Sequence, residues 1–381
     1  VNILITGGAG FIGSHTADAL LAHGHRVRVL DLLDPQIHGG QNKFPAYLDP
    51  RIECIQGDVR SVKDLGRALE DIDAVYHFAA LTGVGQSMYD IRNYVDINCN
   101  GTATLIETIV KTKKQLKRLI LSSSRAVYGE GTHFCSEHGL QYPQPRSREK
   151  MEAGSFDVFC PHCQKPLQSR PTAEDRPYYP MSVYAWSKKH QEDYCLYAAK
   201  TYGLSLTILR YFNVYGQRQS LQNPYTGVVS IFFSRFAAGQ PVYLYEHGKP
   251  GRDFVHVSDV AQANVLALEN DTPPGSCFNV GMGEEQTIQQ IAEALAAASG
   301  VKPQFEDRGE FRVGDIRSCY ADLSRSRSIL GYEPRINLIE GMKQFASWAR
   351  GEKSVDLYQK TVDELTRYGL FGQAKPGTDK K

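Results

Sequence analysis

The chain is predicted to fold as an α/β protein, a doubly wound parallel sheet with a smaller lobe interleaved with it. Three observations predict this. Short apolar runs rich in β-branched residues alternate with stretches of helical period, and uninterrupted apolar runs of that length suit strands covered on both faces. A glycine-rich loop separates the first run from the first helical stretch. After about Tyr215 the rhythm changes to shorter, mixed elements, as a second lobe would require.

In chain order, residues 1–6 form the first predicted strand, and a helix follows the glycine loop to about His23. Strands are predicted at 25–30, 51–55, 74–78, 118–122 and 204–209, with a helical stretch at 183–202. The division expected is 1–215 for the sheet half, 216–372 mainly for the second lobe, and 373–381 for a polar, frayed tail. Residues 131–180 interrupt the sheet half with a Pro-, Gly- and charge-rich insert too long for an ordinary loop, so it should carry structure or function of its own.

Composition excludes several classes. With 43 Lys+Arg against 42 Asp+Glu, the net charge of +1 argues against broad binding to nucleic acid or acidic membranes. The local cluster of Lys111, Lys113, Lys114, Lys117 and Arg118 reads as a solvated helix end, its cations near the negative end of the macrodipole. No apolar run reaches the roughly 18 residues of a membrane span. The first residues lack a basic segment and cleavage site, so the expectation is a cytoplasmic chain whose eight cysteines are reduced.

The loop Gly7-Gly8-Ala9-Gly10-Phe11-Ile12-Gly13 follows a strand and opens a helix. Gly7, Gly10 and Gly13 allow a tight turn, close approach of a pyrophosphate and close helix–strand packing, while the helix N-terminus presents free N–H groups to phosphate. Asp31 stands at the end of the second strand, 18 positions past Gly13, where a carboxylate accepts from ribose hydroxyls and repels a 2′-phosphate; this favours NAD over NADP. Asp58, with Val59, is a candidate adenine contact, though turns also use Asp. Tyr184 and Lys188 lie four apart on a helical stretch and so share a face. A nearby ammonium favours the phenolate, bringing tyrosine down from about 10 toward a useful base. The run Ser122-Ser123-Ser124 leaves a strand at its carboxyl end, where a hydroxyl would reach both the tyrosine and a substrate oxygen.

Two pairs in the insert, Cys135-x-x-His138 and Cys160-x-x-Cys163 with 21 residues between, have the spacing of a four-ligand zinc site. His133 and His162 are competing ligands, and a reduced, metal-free loop is the alternative.

The glycine loop, His77-Phe78-Ala79-Ala80, Asn98 with Gly101-Thr102, Ser124, Tyr184/Lys188, Tyr211-Phe212-Asn213-Val214-Tyr215-Gly216 and Arg252-Asp253-Phe254-Val255-His256-Val257 occur in this order. Together they resemble the extended short-chain dehydrogenase/reductase family, in its nucleotide-sugar epimerase/dehydratase branch, over nearly the whole chain to about Leu330 outside the insert. The resemblance implies a Rossmann sheet with a substrate-binding lobe, NAD as cofactor, and a nucleotide-diphosphate sugar, dTDP- or UDP-linked, as substrate. It implies Tyr184 as base, Lys188 on the nicotinamide ribose, and Ser124 orienting the sugar 4-oxygen. Phe11, Ile12, Phe78, Ala79, Ala80, Asn98, Ser122 and Tyr211 fall on cofactor-lining positions. Asn213 and Arg252 fall on the substrate diphosphate, Arg312 and Asp315 on a second phosphate clamp and the nucleoside ribose, and Tyr243 and Tyr245 near the base.

A homodimer through helices at 92–111 and 183–202 is also implied. The 4,6-dehydratases of the branch carry Asp-Glu after the hydroxyl residue; here Arg125-Ala126 follow Ser124, which favours epimerisation. Cys319 stands where hexosamine-tolerant epimerases carry a small residue. The cysteine-bearing insert is similar to that of the dTDP-L-rhamnose 4-epimerases. The alternatives are UDP-glucose or UDP-N-acetylglucosamine 4-epimerases, then a dehydratase or a non-catalytic NAD-binding protein.

Overall fold

The structure, a computed structural model, describes residues 1–40 and 42–375. Strands β1 (Asn2–Thr6), β2 (Arg26–Asp31), β3 (Glu53–Gln56), β4 (Ala74–His77), β5 (Arg118–Ser124), β6 (Leu206–Tyr211) and β7 (Ser276–Val280) form one sheet in the order β7-β6-β5-β4-β1-β2-β3. Every pairing is parallel. Helices α1 (Phe11–Ala22), α2 (Val62–Ala68), α3 (Gly101–Lys111), α4 (Val183–Tyr202), α5 (Val228–Ala237), α6 (Val257–Glu269), α7 (Ile288–Ser299), α8 (Leu338–Ala349) and α9 (Tyr358–Arg367) cover and extend it.

The expected two-sided covering is present. Ile3 and Ile5 pack on the side of Ala17, Leu20, Val260 and Ala263, from α1 and α6. Leu4, Val75 and Leu119 pack on the other side with Leu65, Leu105, Ile109 and Cys195, from α2, α3 and α4. Alternation along a strand sends neighbouring side chains to opposite faces, so every residue of β1 and β4 can be apolar and useful. Burial of each such Val, Leu or Ile contributes about 1.5–3 kcal/mol.

Most strand ends shift by one or two residues, and three departures from the sequence reading go further. The sixth strand runs 206–211 rather than 204–209, because Arg210 does not end it: that guanidinium is buried and bonds both Glu192 carboxylate oxygens at 2.8 Å. β7 was hidden in the mixed pattern after Tyr215, yet it pairs with β6 and completes the sheet, and α6 packs beside α1 through Asn264 Nδ2 donating to Thr16 Oγ1 at 2.8 Å. The stretch 216–372 therefore returns to the sheet half before continuing the second lobe. Third, in the expected tail, Gln373 pairs with Glu310, and the N–H groups of Ala374 and Lys375 donate to Gly309 and Glu152; residues 376–381 lie outside the described residues.

The second lobe is built on Phe232, Phe233, Leu295 and Phe345, where α5, α7 and α8 meet. The insert forms a three-stranded antiparallel sheet from Thr132–Cys135, Gly139–Gln141 and Gln168–Arg170. It then leans on both halves. Arg146 reaches Glu246 at 2.6 Å and the Asp315 carbonyl at 2.7 Å, and Glu174 accepts from the Asn279 N–H at 2.7 Å. Among the described residues no helix is long and apolar enough to cross a membrane.

Candidate active site

The carboxyl ends of the sheet strands open into a cleft of about 2010 Å³ that runs on into the second lobe. That is twice or more the roughly 300–1,000 Å³ of a drug-sized pocket, so there is room for two extended ligands side by side.

Gly7, Gly10, Phe11, Ile12 and Gly13 line one end. Gly7 holds φ +71°, and a Cβ there would lie 2.7 Å from the Ala79 nitrogen; a Cβ on Gly13 would lie 2.5 Å from the Gly7 carbonyl. Both positions are closed to other residues by packing. Helix α1 starts at Gly10 without a side-chain cap, so its first N–H groups face the cleft unclaimed by a capping side chain. Asp31 lines the same end, its carboxylate accepting from the N–H groups of Ala9 at 3.0 Å and Leu33 at 2.9 Å, so it also ties the glycine loop to β2. Asp58 and Val59 line the cleft as well. Burial pushes the Asp58 carboxyl up, but Arg60 prevails and holds it below the ordinary range. A glycine cradle, an uncapped helix end and a carboxylate beyond them fit a dinucleotide such as NAD.

In the middle of the cleft, Ser182 caps α4 by accepting from the Ala185 N–H, and the helix turns Tyr184 and Lys188 inward on its buried face. The Lys188 ammonium donates to the Ser122 carbonyl at 2.9 Å; burial lowers its pKa to about 8. The phenol of Tyr184 departs from the expectation in direction: burial raises its pKa, opposed by the Ser124 hydroxyl and then by the Arg125 guanidinium. Arg125 lines the cleft and makes no ion pair among the described residues, so its charge is open to the site. The sequence reading missed it as a site residue, although its position directly after Ser124 was the available signal.

Phe78, Ala79, Ala80, Ser122 and Tyr211 line the cleft near this centre, and Tyr211 donates to Asn264 Oδ1 at 2.6 Å. Asn98 is buried directly behind the cleft residue Leu81: its amide accepts from the Leu81 N–H at 2.8 Å and donates to Ser187 Oγ at 2.8 Å. It sits in a π-helical turn, Val95–Asn100, that continues into α3, and it braces the loop after β4 against α4. Helical period alone does not reveal such a turn. Cys319 is buried against Thr172, near enough to the cleft residues Arg125 and Arg252 to feel their charge.

In the second lobe, Arg252 is buried and bonded to the carbonyls of Gly251, Ile316 and Arg317 with no ion pair among the described residues; burial brings its pKa down to about 10. Beside it the Asn213 Oδ1 is buried with no partner among the described residues, and both residues line the cleft. A buried cation lacking a carboxylate suits a diphosphate, to which Asn213 could donate only from the Nδ2 end of its amide. Arg312 pairs with Asp315 at 2.8 Å. Tyr243 lies between the Arg235 and Arg308 guanidiniums at 4.6 and 3.8 Å, and Tyr245 donates to the Tyr358 hydroxyl at 2.9 Å. Tyr358, from α9, completes this aromatic wall; its place past the end of the motif series left nothing to single it out. His256 caps α6 and is held neutral by burial, its pKa down to about 4, as befits a structural residue.

Away from the cleft, the ligand atoms of Cys135, His138, Cys160 and Cys163 all lie within 4.8 Å of one another. His133 instead bonds the Gly131 carbonyl, and the His162 ring lies tilted against that of His138, with centroids 4.9 Å apart.

Residues 3–281 match the family described as NAD dependent epimerase/dehydratase. The chain is 37% identical to a dTDP-L-rhamnose 4-epimerase of Burkholderia thailandensis over 92% of its own length and 95% of the relative's. It is 32% identical to a UDP-glucose 4-epimerase of Lacticaseibacillus casei, covering 89% of this chain and 94% of that one. Among solved structures, it resembles the UDP-glucose 4-epimerase of Thermus thermophilus in complex with NAD, with a TM-score of 0.74 at 29% identity, covering 93% and 100% of the two chains. It also resembles the UDP-glucuronic acid 4-epimerase of Bacillus cereus bound to UDP-glucuronic acid and NAD, with a TM-score of 0.75 at 28% identity, covering 92% and 99%.

Proposed function

The chain belongs to the NAD-dependent epimerase/dehydratase family, and from that premise we propose that it inverts C4 of a nucleotide-diphosphate sugar, with dTDP-L-rhamnose as its substrate. The observation that carries epimerisation is the meeting of Ser124, Tyr184 and Lys188 beside the glycine loop, with Arg125-Ala126 in place of an acid pair after Ser124. The inserted cysteine-bearing segment and the Burkholderia thailandensis relative support the rhamnose reading.

When bound, NAD supplies a reversible hydride store at the sugar C4, so that a 4-keto sugar forms and is reduced on its opposite face. Gly7, Gly10, Gly13 and Asp31 would hold its adenosine diphosphate end, and Lys188 its nicotinamide ribose. Tyr184 accepts the proton of the 4-hydroxyl and later returns it. Ser124 orients the same oxygen, and together with Arg125 it opposes the upward push of burial on the phenol. Arg252 and Asn213 anchor the diphosphate throughout, so remote binding energy retains the ketone while it turns over. The exposed stripe Trp186, Tyr194 and Tyr197 on α4 (51, 42 and 68% exposed), with Ile91 and Val95 nearby in the chain before α3, supports a homodimer face; a monomer mass by light scattering removes that part of the reading.

A panel of dTDP-L-rhamnose, UDP-glucose, UDP-N-acetylglucosamine and UDP-glucuronic acid, followed by chromatography of the epimers, tests the substrate. Turnover of the dTDP-sugar with the highest kcat/KM is expected. A clear preference for a UDP-sugar overturns the rhamnose reading and favours the second one, which the UDP-sugar epimerases among the relatives support. No epimer from any sugar, with NAD bound, overturns the activity itself.

A further inference from the structure

The insert carries a cluster that the cleft chemistry does not use. From its geometry we propose that Cys135, His138, Cys160 and Cys163 bind one structural zinc ion, which braces the insert against the substrate side of the cleft.

The sequence places the four ligands in two knuckles, and the fold brings the knuckles together. The first is the hairpin between the strands Thr132–Cys135 and Gly139–Gln141. The second is a turn in which the Gln164 N–H donates to the Cys160 carbonyl at 2.9 Å and the Cys160 N–H donates to the Lys165 carbonyl at 2.9 Å. In both, the residue after the second ligand takes left-handed backbone, Gly139 at φ +67° and Gln164 at φ +56°. Two segments with no sequence repeat have thus adopted one turn geometry around one point.

The distances suit a tetrahedral metal. Cys135 Sγ lies 3.6 Å from His138 Nδ1 and 3.6 Å from Cys163 Sγ, and Cys160 Sγ lies 3.6 Å from His138 Nδ1. Metal–ligand bonds of about 2.3 Å to sulfur and about 2.0–2.1 Å to nitrogen set tetrahedron edges of about 3.5–3.8 Å. A disulfide would need sulfurs at about 2.0 Å, and all eight cysteines are free.

Backbone donors converge on the three sulfurs. Backbone N–H groups of Glu137 and His138 serve Cys135, those of His162 and Cys163 serve Cys160, and that of Lys165 serves Cys163. Three thiolates around a dication leave one net negative charge, and the Lys165 ammonium, paired with Glu137, stands beside it. The donor set of three sulfurs and one imidazole selects zinc, and all four positions are filled by protein, as in a structural rather than a catalytic site.

The work of the site follows from what the insert lacks. Its apolar cluster is Met151 and Phe156 against Phe311 of the second lobe. The strand that ends at Cys135 begins two residues past Glu130, which accepts the N–H of Arg317 and pairs with Arg146, and Arg146 in turn holds Glu246 and the Asp315 carbonyl. A metal at one end of that strand fixes the other end, beside the substrate carboxylate Asp315.

Full-length, tag-free protein purified without chelator tests this by elemental analysis, independently of which sugar is turned over. The expected result is about one zinc per chain, lost in Cys135→Ser and Cys160→Ser and retained in Cys54→Ser, which lies outside the cluster. Because a cluster variant that fails to fold would also lose metal, cobalt-exchanged wild-type protein gives a second readout: strong near-ultraviolet thiolate bands with visible bands of tetrahedral cobalt. The proposal is overturned by wild-type protein free of zinc and showing no such cobalt spectrum, by zinc retained in both cluster variants, or by a Cys135–Cys163 disulfide in the mass of the freshly isolated chain.

Discussion

In the parallel sheet, β1 and β4 are buried along nearly their whole length, with Ile3, Leu4, Ile5, Ala74, Val75 and Tyr76 showing no exposed surface. The insert is the opposite case. It is held by single polar links, chiefly Arg146 to Glu246 and Glu130, Thr172 to Ala321, and the four converging ligand atoms. Stability in the sheet is spread over many small apolar contributions, so losing one methyl matters little. In the insert it is concentrated in a few groups, each of which leaves an uncompensated partner when removed. The two regions also divide the cleft: the sheet half carries the glycine loop and Tyr184, while the insert leans on the second-lobe side through Arg146.

Three measurements sharpen or break this division, and the largest effect is on chemistry. Tyr184→Phe is expected to lower kcat about 10³–10⁴-fold while retained NAD and the unfolding midpoint stay unchanged, because the removed hydroxyl contributes proton transfer rather than packing. Full activity in that variant would remove Tyr184 as the base. The second compares the regions directly. Arg146→Ala leaves Glu130 buried without its ion pair and Glu246 with Arg317 alone, and is expected to cost about 3 kcal/mol, with proteolysis of the insert speeding up before the sheet unfolds. Ile120→Val, fully buried in β5, is expected to cost only about 1 kcal/mol and to leave the insert protected. Equal costs at the two sites, measured by denaturant unfolding, would mean that the insert shares the sheet's mode of stabilisation.

The smallest effect is a pH slope that belongs to the sheet half. His77 is buried between the Thr6 and Thr102 hydroxyls, both at 2.8 Å, and burial lowers its pKa to about 3. The unfolded imidazole, with its ordinary value of about 6.5, takes up a proton that the folded one refuses. The contribution to stability is therefore complete above about pH 6.5 and is lost as pH falls toward 3. Urea midpoints at pH 7 and pH 5 should differ less in His77→Gln than in the parent; an unchanged slope would exclude His77 as the source.

Local pattern was enough for much of this. The βαβ rhythm, the glycine loop with Asp31, the Tyr184/Lys188 spacing and the two knuckle pairs were legible because each depends on residues close in sequence, where period and turn chemistry are set by the chain itself. The packed structure decided what depends on contacts between distant segments. Arg210 stays inside a strand because Glu192, on another element, neutralises it. Asn98 braces Leu81 against Ser187, Arg125 joins the Ser124 hydroxyl in opposing burial at the phenol, and Tyr358 arrives from α9 to finish the aromatic wall. A side chain's charge, burial and partner are properties of its surroundings, and for these residues the surroundings exist only once the chain has closed on itself.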